Sequence, residues 1–211
     1  TGGMGSYSPT PLITDRLEEK IMENVMRPTI KGLSDLGIKF RGFLYAGLMI
    51  EHGTNEPYVL EFNVRMGDPE CQSILSRMNS NLLEYLEAAM DVRLDSMPPI
   101  NWTNKSSVCV VMASKGYPEK YHTGEIIHGL DSTYDSNTYV FHSGTKKDSM
   151  GDVLTNGGRV LSVTSLGDTL EAAKMEAYLT ASQIHWGKNE EYFRKDIASK
   201  GIKYIKSNFS N

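Results

Sequence analysis

The groups best suited to chemistry are concentrated in Leu60-Glu-Phe-Asn-Val-Arg-Met-Gly-Asp-Pro-Glu70. In an extended segment side chains alternate. Glu61, Asn63 and Arg65 therefore share one face, successive Cα atoms about 6 to 7 Å apart, while Leu60, Phe62 and Val64 turn toward a core. A carboxylate and an amide oxygen are hard donors of the kind Mg2+ selects, an ion that takes one or two protein groups and completes its shell with water and nucleotide phosphate. Arg65 adds a planar fork for phosphoryl or acyl phosphate oxygens. Together the three would make a phosphoryl-transfer clamp, although the same alternation also produces a polar strand face that is merely solvated. Asp68 and Glu70 follow in a turn set by Pro69, where one of them can receive a substrate ammonium or pair structurally with Arg65.

Two glycine-rich stretches can supply backbone donors. Gly2, Gly3, Met4 and Gly5 form a turn whose N–H groups can line an anion site, or a plain surface loop; without a Gly-Lys-Ser/Thr ending it is not a P-loop. Asn156-Gly-Gly-Arg159 can present Gly158 backbone and the Arg159 guanidinium to a sugar phosphate, with Lys146 and Lys147 nearby, or simply be a tight hairpin. The histidines show no ligand spacing, and no Ser/His/Asp or Cys/His triad can be argued.

These groups need a scaffold. Residues 1–9 read as a flexible loop ended by Pro9 and Pro11. A helix starting at Asp15, with Glu18 three residues on and Leu17, Ile21 and Val25 on one face, should bend or break at Pro28. Strands at 40–50 and 58–65, joined by His52-Gly-Thr-Asn-Glu-Pro57, imply an antiparallel hairpin because the connection is too short for a parallel crossover. A helix over 80–93 capped by Ser80 has Leu82, Leu86, Ala89 and Met90 on one side. After a turn-rich linker at 96–105 come strands at 106–113, 125–130 and 138–144, then a hairpin around Asn156-Gly157-Gly158. A helix from Asp168 follows, its inner face formed by Leu170, Ala173, Ala177, Ala181 and Ile184. The expectation is an α+β chain of two parts, 1–95 and 106–211.

With 22 Lys+Arg against 26 Asp+Glu in 211 residues, the chain carries a net charge of -4 and no dense basic run, which argues against a nucleic-acid partner. No apolar stretch approaches the roughly 18 to 20 residues of a membrane span. Cys71 and Cys109 make neither a disulfide framework nor a zinc cluster, and a reducing cytoplasm fits them best. A chain opening on Thr1 within a glycine string reads as part of a longer protein.

Thr1-Gly-Gly-Met-Gly-Ser-Tyr-Ser-Pro9, Gly42-Phe-Leu-Tyr-Ala-Gly-Leu-Met49, Leu60-Glu-Phe-Asn-Val-Arg65, Arg65-Met-Gly-Asp-Pro-Glu-Cys-Gln72, His142-Ser-Gly-Thr-Lys146 and Asn156-Gly-Gly-Arg-Val-Leu161 run along nearly the whole chain. Together and in this order they resemble the glycinamide ribonucleotide synthetase family, the phosphoribosylamine-glycine ligases of purine biosynthesis. The resemblance implies the C-terminal lobe of an ATP-grasp fold in 1–95 and a small β-rich domain with a closing helix in 106–211. It also implies ATP with Mg2+ or Mn2+ as cofactors, and glycine and 5-phosphoribosylamine as substrates. ATP would phosphorylate the glycine carboxylate and the amine would attack the glycyl phosphate. Family metal ligands map onto Glu61 and Asn63, and the arginine of the signature maps onto Arg65. The N-terminal part of such an enzyme is missing, so the chain alone should be inactive. The strand before Glu61 offers no second acidic ligand nearer than Glu51. Two other readings share the polar row: another ATP-grasp carboxylate-amine ligase or carboxylase, and a non-catalytic interaction module.

Overall fold

A computed structural model describes residues 3–132 and 134–209. In chain order the elements are β1 (Gly5–Ser8), α1 (Asp15–Ile21), α2 (Arg27–Asp35), β2 (Tyr45–Ile50), β3 (Pro57–Asn63), α3 (Glu70–Leu75), α4 (Leu82–Met90), β4 (Ser106–Ser114) and β5 (Ile127–His128). There follow β6 (Thr138–His142), β7 (Thr145–Lys147), β8 (Val153–Thr155), β9 (Arg159–Gly167), α5 (Leu170–Ala181), β10 (His185–Trp186), β11 (Glu191–Tyr192) and α6 (Ser199–Phe209). Every strand pair among the described residues is antiparallel, in keeping with the expected α+β class. Two compact units form. One gathers residues 1–10, 68–77 and 102–211, the other residues 11–67 and 78–101. This grouping differs from a single cut at 96–105, because β1 and α3 pack with β4 rather than with their sequence neighbours.

The larger unit is built on a sheet in the order β1-β4-β9-β6, with β11 also pairing β4. β4 is buried along nearly its whole length, so it reads as an apolar run rather than an alternating one. Helix α5 packs on β4 and β9, and its predicted inner face holds: Leu170, Ala173, Ala177 and Ala181 are buried, and so is Ile184 just beyond the helix end. Small residues there let the helix axis approach the sheet closely. Residues 5–8, expected to be loop, are instead strand, paired to β4 from Ser107 to Val110. Gly5 permits this approach: a Cβ there would lie 2.5 Å from Ile197 and 2.8 Å from the Cys109 carbonyl. The expected hairpin around Gly157 does not form either. β8 pairs with β7 and β9 with β4 and β6, and the glycines instead let the chain cross against Gly144, whose carbonyl accepts from Asn156 N at 2.7 Å.

The smaller unit contains the β2–β3 hairpin, with its turn at 51–56 as expected, and helices α1, α2 and α4. Pro28 does not break the first helix. A π turn over Met22–Met26 widens the backbone, and the proline falls in the first turn of α2, where its missing N–H costs little. The caps lie one position from those expected: Thr14, Asn81 and Thr169 accept from Leu17 N, Leu83 N and Ala172 N, and Ser80 accepts from Asn101 N instead. On α4 Ala88 is buried while Leu86 and Met90 are exposed. The apolar side of β3 is not a core either, since Leu60, Phe62 and Val64 are 64%, 42% and 75% exposed. The strand carries a bulge, at which Gly47 opposes Glu61 and Leu48 opposes Val59, so Leu60 has no partner.

The two thiols are unpaired. Burial pushes Cys109 up to about 11, with the nearby Thr164 and Ser162 hydroxyls opposing the shift, and burial followed by the Asp68 charge raises the less enclosed Cys71. The raised Cys109 value means that its contribution to stability is fully present below the ordinary thiol range and is lost as pH rises toward 11. At pH 8 a thiol-disulfide reagent is expected to label Cys71 slowly and Cys109 only after denaturation. Rapid native labelling of both thiols would contradict the burial of β4.

Candidate active site

Within the smaller unit, Glu61 and Asn63 lie on one side of β3, and Asn63 Nδ2 donates to Glu61 Oε1 at 3.0 Å. Gly47, directly opposite Glu61, leaves room for the carboxylate stem; a Cβ there would sit 3.1 Å from Glu61 Cγ. With the amide nitrogen tied to one carboxylate oxygen, the other carboxylate oxygen and the amide oxygen remain as hard acceptors on neighbouring side chains. That donor set suits a magnesium or manganese ion taking two protein groups. Arg65 is placed otherwise than a three-residue strand row requires. The strand ends at Asn63, and Arg65 lies in the following bend, exposed, with Nη1 donating to the Met66 carbonyl at 2.8 Å. Glu51 starts the hairpin turn, where it accepts from Thr54 Oγ1 at 2.5 Å. Among the described residues no three His, Cys, Asp or Glu side chains gather for a metal.

The larger unit holds a second constellation, which begins where the chain leaves Gly67. Arg159, first residue of β9, donates from Nη1 to the carbonyls of Gly3 and Asp68, both at 3.1 Å, and from Nη2 to Asp68 Oδ2 at 2.6 Å. The fork thus joins three distant segments. Gly3 has φ +71 and a Cβ there would meet the guanidinium at 2.8 Å, so glycine is required on both counts. Met4 is buried against Val111, Ala113 and Tyr117, and Gly5 begins β1. Gly158 lies under the Tyr117 ring, where a Cβ would be 2.1 Å from a ring carbon. Gly2 lies outside the described residues.

Side chains that the motif reading passed over set the Asp68-Pro69-Glu70 turn. Ser6 Oγ bonds the Pro69 carbonyl at 2.9 Å and Ser73 Oγ at 2.7 Å, and Ser107 Oγ donates to the Ser73 carbonyl at 2.5 Å. Pro69 is fully buried, while Asp68 is exposed and Glu70 is half-buried at the start of α3. The alternation Ser6-Tyr7-Ser8, which puts both serines on one strand face, was the available signal.

Residues 1–71 match the family model for the phosphoribosylglycinamide synthetase ATP-grasp (A) domain, and residues 107–200 match that for its C domain. A phosphoribosylamine--glycine ligase of Escherichia coli (strain K12) is 47% identical over 202 residues, covering 96% of this chain and 46% of that protein. A chloroplastic one from Arabidopsis thaliana is 44% identical over 205 residues, covering 38% of its length. The chain therefore spans about half the length, or less, of these curated relatives. The crystal structure of the Thermotoga maritima phosphoribosylamine--glycine ligase superposes with a TM-score of 0.76 at 32% identity, covering 92% of this chain and 46% of that one. A biotin carboxylase from Campylobacter jejuni reaches 0.62 at 13% identity, a likeness of fold alone. With both domain models matched in order and the folds superposable, the chain belongs to the phosphoribosylglycinamide synthetase family, matching its ATP-grasp (A) domain over residues 1–71 and its C domain over 107–200.

Proposed function

We infer that the complete protein joins glycine to 5-phosphoribosylamine at the expense of ATP, giving glycinamide ribonucleotide, ADP and phosphate through glycyl phosphate, and that this chain alone is inactive. The observation that carries this reading is 47% identity to a ligase of that name along 96% of the chain, across both domains. In this assignment residues 1–95 complete the ATP-grasp domain, 96–105 link, and 106–211 form the substrate-side domain. A bound Mg2+ or Mn2+ would neutralise nucleotide phosphate charge. Glu61 and Asn63 would hold that ion. Arg65 steadies the acyl phosphate through the donors it does not use on Met66. Asp68 or Glu70 receives the substrate amine, and Gly2, Gly3, Met4, Gly5, Pro69, Gly158 and Arg159 shape the substrate side.

No described helix is long and apolar enough to cross a membrane. The unpaired thiols are compatible with a cytoplasmic setting.

The test is ADP release by the complete protein. Turnover should require glycine and phosphoribosylamine together with Mg2+. Release supported by bicarbonate or another amine, with silence toward this pair, would transfer the chain to a different ATP-grasp activity; silence toward all carboxylates would favour an interaction module.

A further inference from the structure

Strands β1 and β11 pair with the same edge of β4, β1 along Ser107 to Val110 and β11 at Ala113 and Ser114. Between them Val111 N donates to the Met4 carbonyl at 3.2 Å. A cavity of about 430 Å³ opens there, lined by Met4, Tyr117, Tyr192, Arg194, Lys195 and Asp196, all of the larger unit. Its walls are fixed from behind. Tyr178 of α5 donates to the Arg194 carbonyl at 2.6 Å and accepts from Ile197 N at 3.1 Å, holding the segment between β11 and α6. Tyr117 stands edge-on to Tyr121 and covers Gly158.

The lining is chemically specific. Arg194 gives Nε and Nη2 to Asp196 at 2.8 and 2.5 Å, which leaves its Nη1 donors. Lys195 Nζ lies 3.7 Å from the Phe193 ring centre and pairs with no carboxylate among the described residues. Two cations and one carboxylate therefore line the space, a net positive charge. Tyr117 and Tyr192 add phenol hydroxyls, and Asp196 adds acceptors, which suits an anion carrying hydroxyl groups. Arg159, by contrast, has already spent its fork on Gly3 and Asp68, so a phosphate placed on it would have to displace those bonds.

We propose that this cavity anchors a sugar phosphate, with Lys195 and Arg194 on the phosphate and Tyr117, Tyr192 and Asp196 on the pentose hydroxyls. Naming the ligand as the phosphoribosyl end of the amine substrate rests on the ligase reading above; the site itself does not. All six lining residues belong to this chain.

Ribose 5-phosphate titrated into the 211-residue chain should bind saturably and shift the amide resonances of residues 192–196, at least about tenfold more tightly than ribose or inorganic phosphate. Losing one hydrogen bond to a charged group costs about a factor of ten or more, so Lys195→Gln should weaken binding by about that much and Lys195→Arg should largely restore it. Tyr117→Phe, losing a neutral bond, should cost about three- to tenfold. An unchanged amide spectrum of unliganded Lys195→Gln separates lost contact from misfolding. No saturation, equal affinity for phosphate alone, or indifference to Lys195→Gln overturns the proposal. In the complete enzyme Lys195→Gln should raise KM for the amine substrate and not for glycine. Binding of ribose 5-phosphate without any ligase turnover would remove the ligase reading and leave the site standing. Normal turnover with unchanged KM in Lys195→Gln would remove the site and leave the ligase.

Discussion

Replacing Glu61 by Gln in the complete protein is expected to lower kcat at saturating ATP and Mg2+ by about a hundredfold or more, the scale of losing a charged group that stabilises transferring phosphate. The substitution is chosen for what it leaves intact. A glutamine keeps the stem over Gly47 and an oxygen able to accept from Asn63 Nδ2, so the ribbon geometry survives and only the negative charge is removed. Because Glu61 is exposed, stability should change by no more than about 0.5 kcal/mol. Turnover measured against Mg2+ concentration should show a higher metal requirement as well as a lower ceiling. Near-normal kcat with an unshifted metal curve would mean that Glu61 is not a ligand.

The second large effect is expected at Arg159. Arg159→Met keeps a flexible apolar stem but removes three bonds at once, two to backbone carbonyls and one to the Asp68 carboxylate. The ion pair is partly open, with side-chain exposures of 29% and 51%, so solvent screening reduces its share. The two carbonyl bonds carry most of the loss, and the sum should be about 2 kcal/mol, read as a lower urea midpoint without a change in slope. Arg159→Lys should recover only part of it, because one ammonium cannot span Gly3 and Asp68 as a planar fork does. In the complete enzyme the freed Gly3 and Asp68 segments should also raise KM for substrate. An unchanged urea midpoint would show that these contacts do not hold the turn.

Much of this protein can be read from local pattern. The antiparallel hairpin over β2 and β3 follows from a connection too short for a crossover, and the inner face of α5 follows from apolar residues at helical spacing. The pairing of Glu61 with Asn63 follows from strand alternation, which needs no knowledge of the rest of the chain. The failures share a cause. Residues 5–8 look like a loop by composition and become a strand only because β4 offers an open edge, while the glycines near 157 look like a hairpin and serve a crossing against Gly144. Arg65 shares the parity of its row, yet the strand ends before reaching it.

By itself the sequence determined which chemical groups exist, their spacing along each element and the family to which they point, since those are properties of neighbours a few residues apart. Only the tertiary structure decided that Arg159 binds Gly3 and Asp68, 156 and 91 residues away, and that Tyr117 and Lys195 line one cavity. Such contacts depend on which strand edges meet and what the close packing between them admits. No periodicity along the chain encodes that choice.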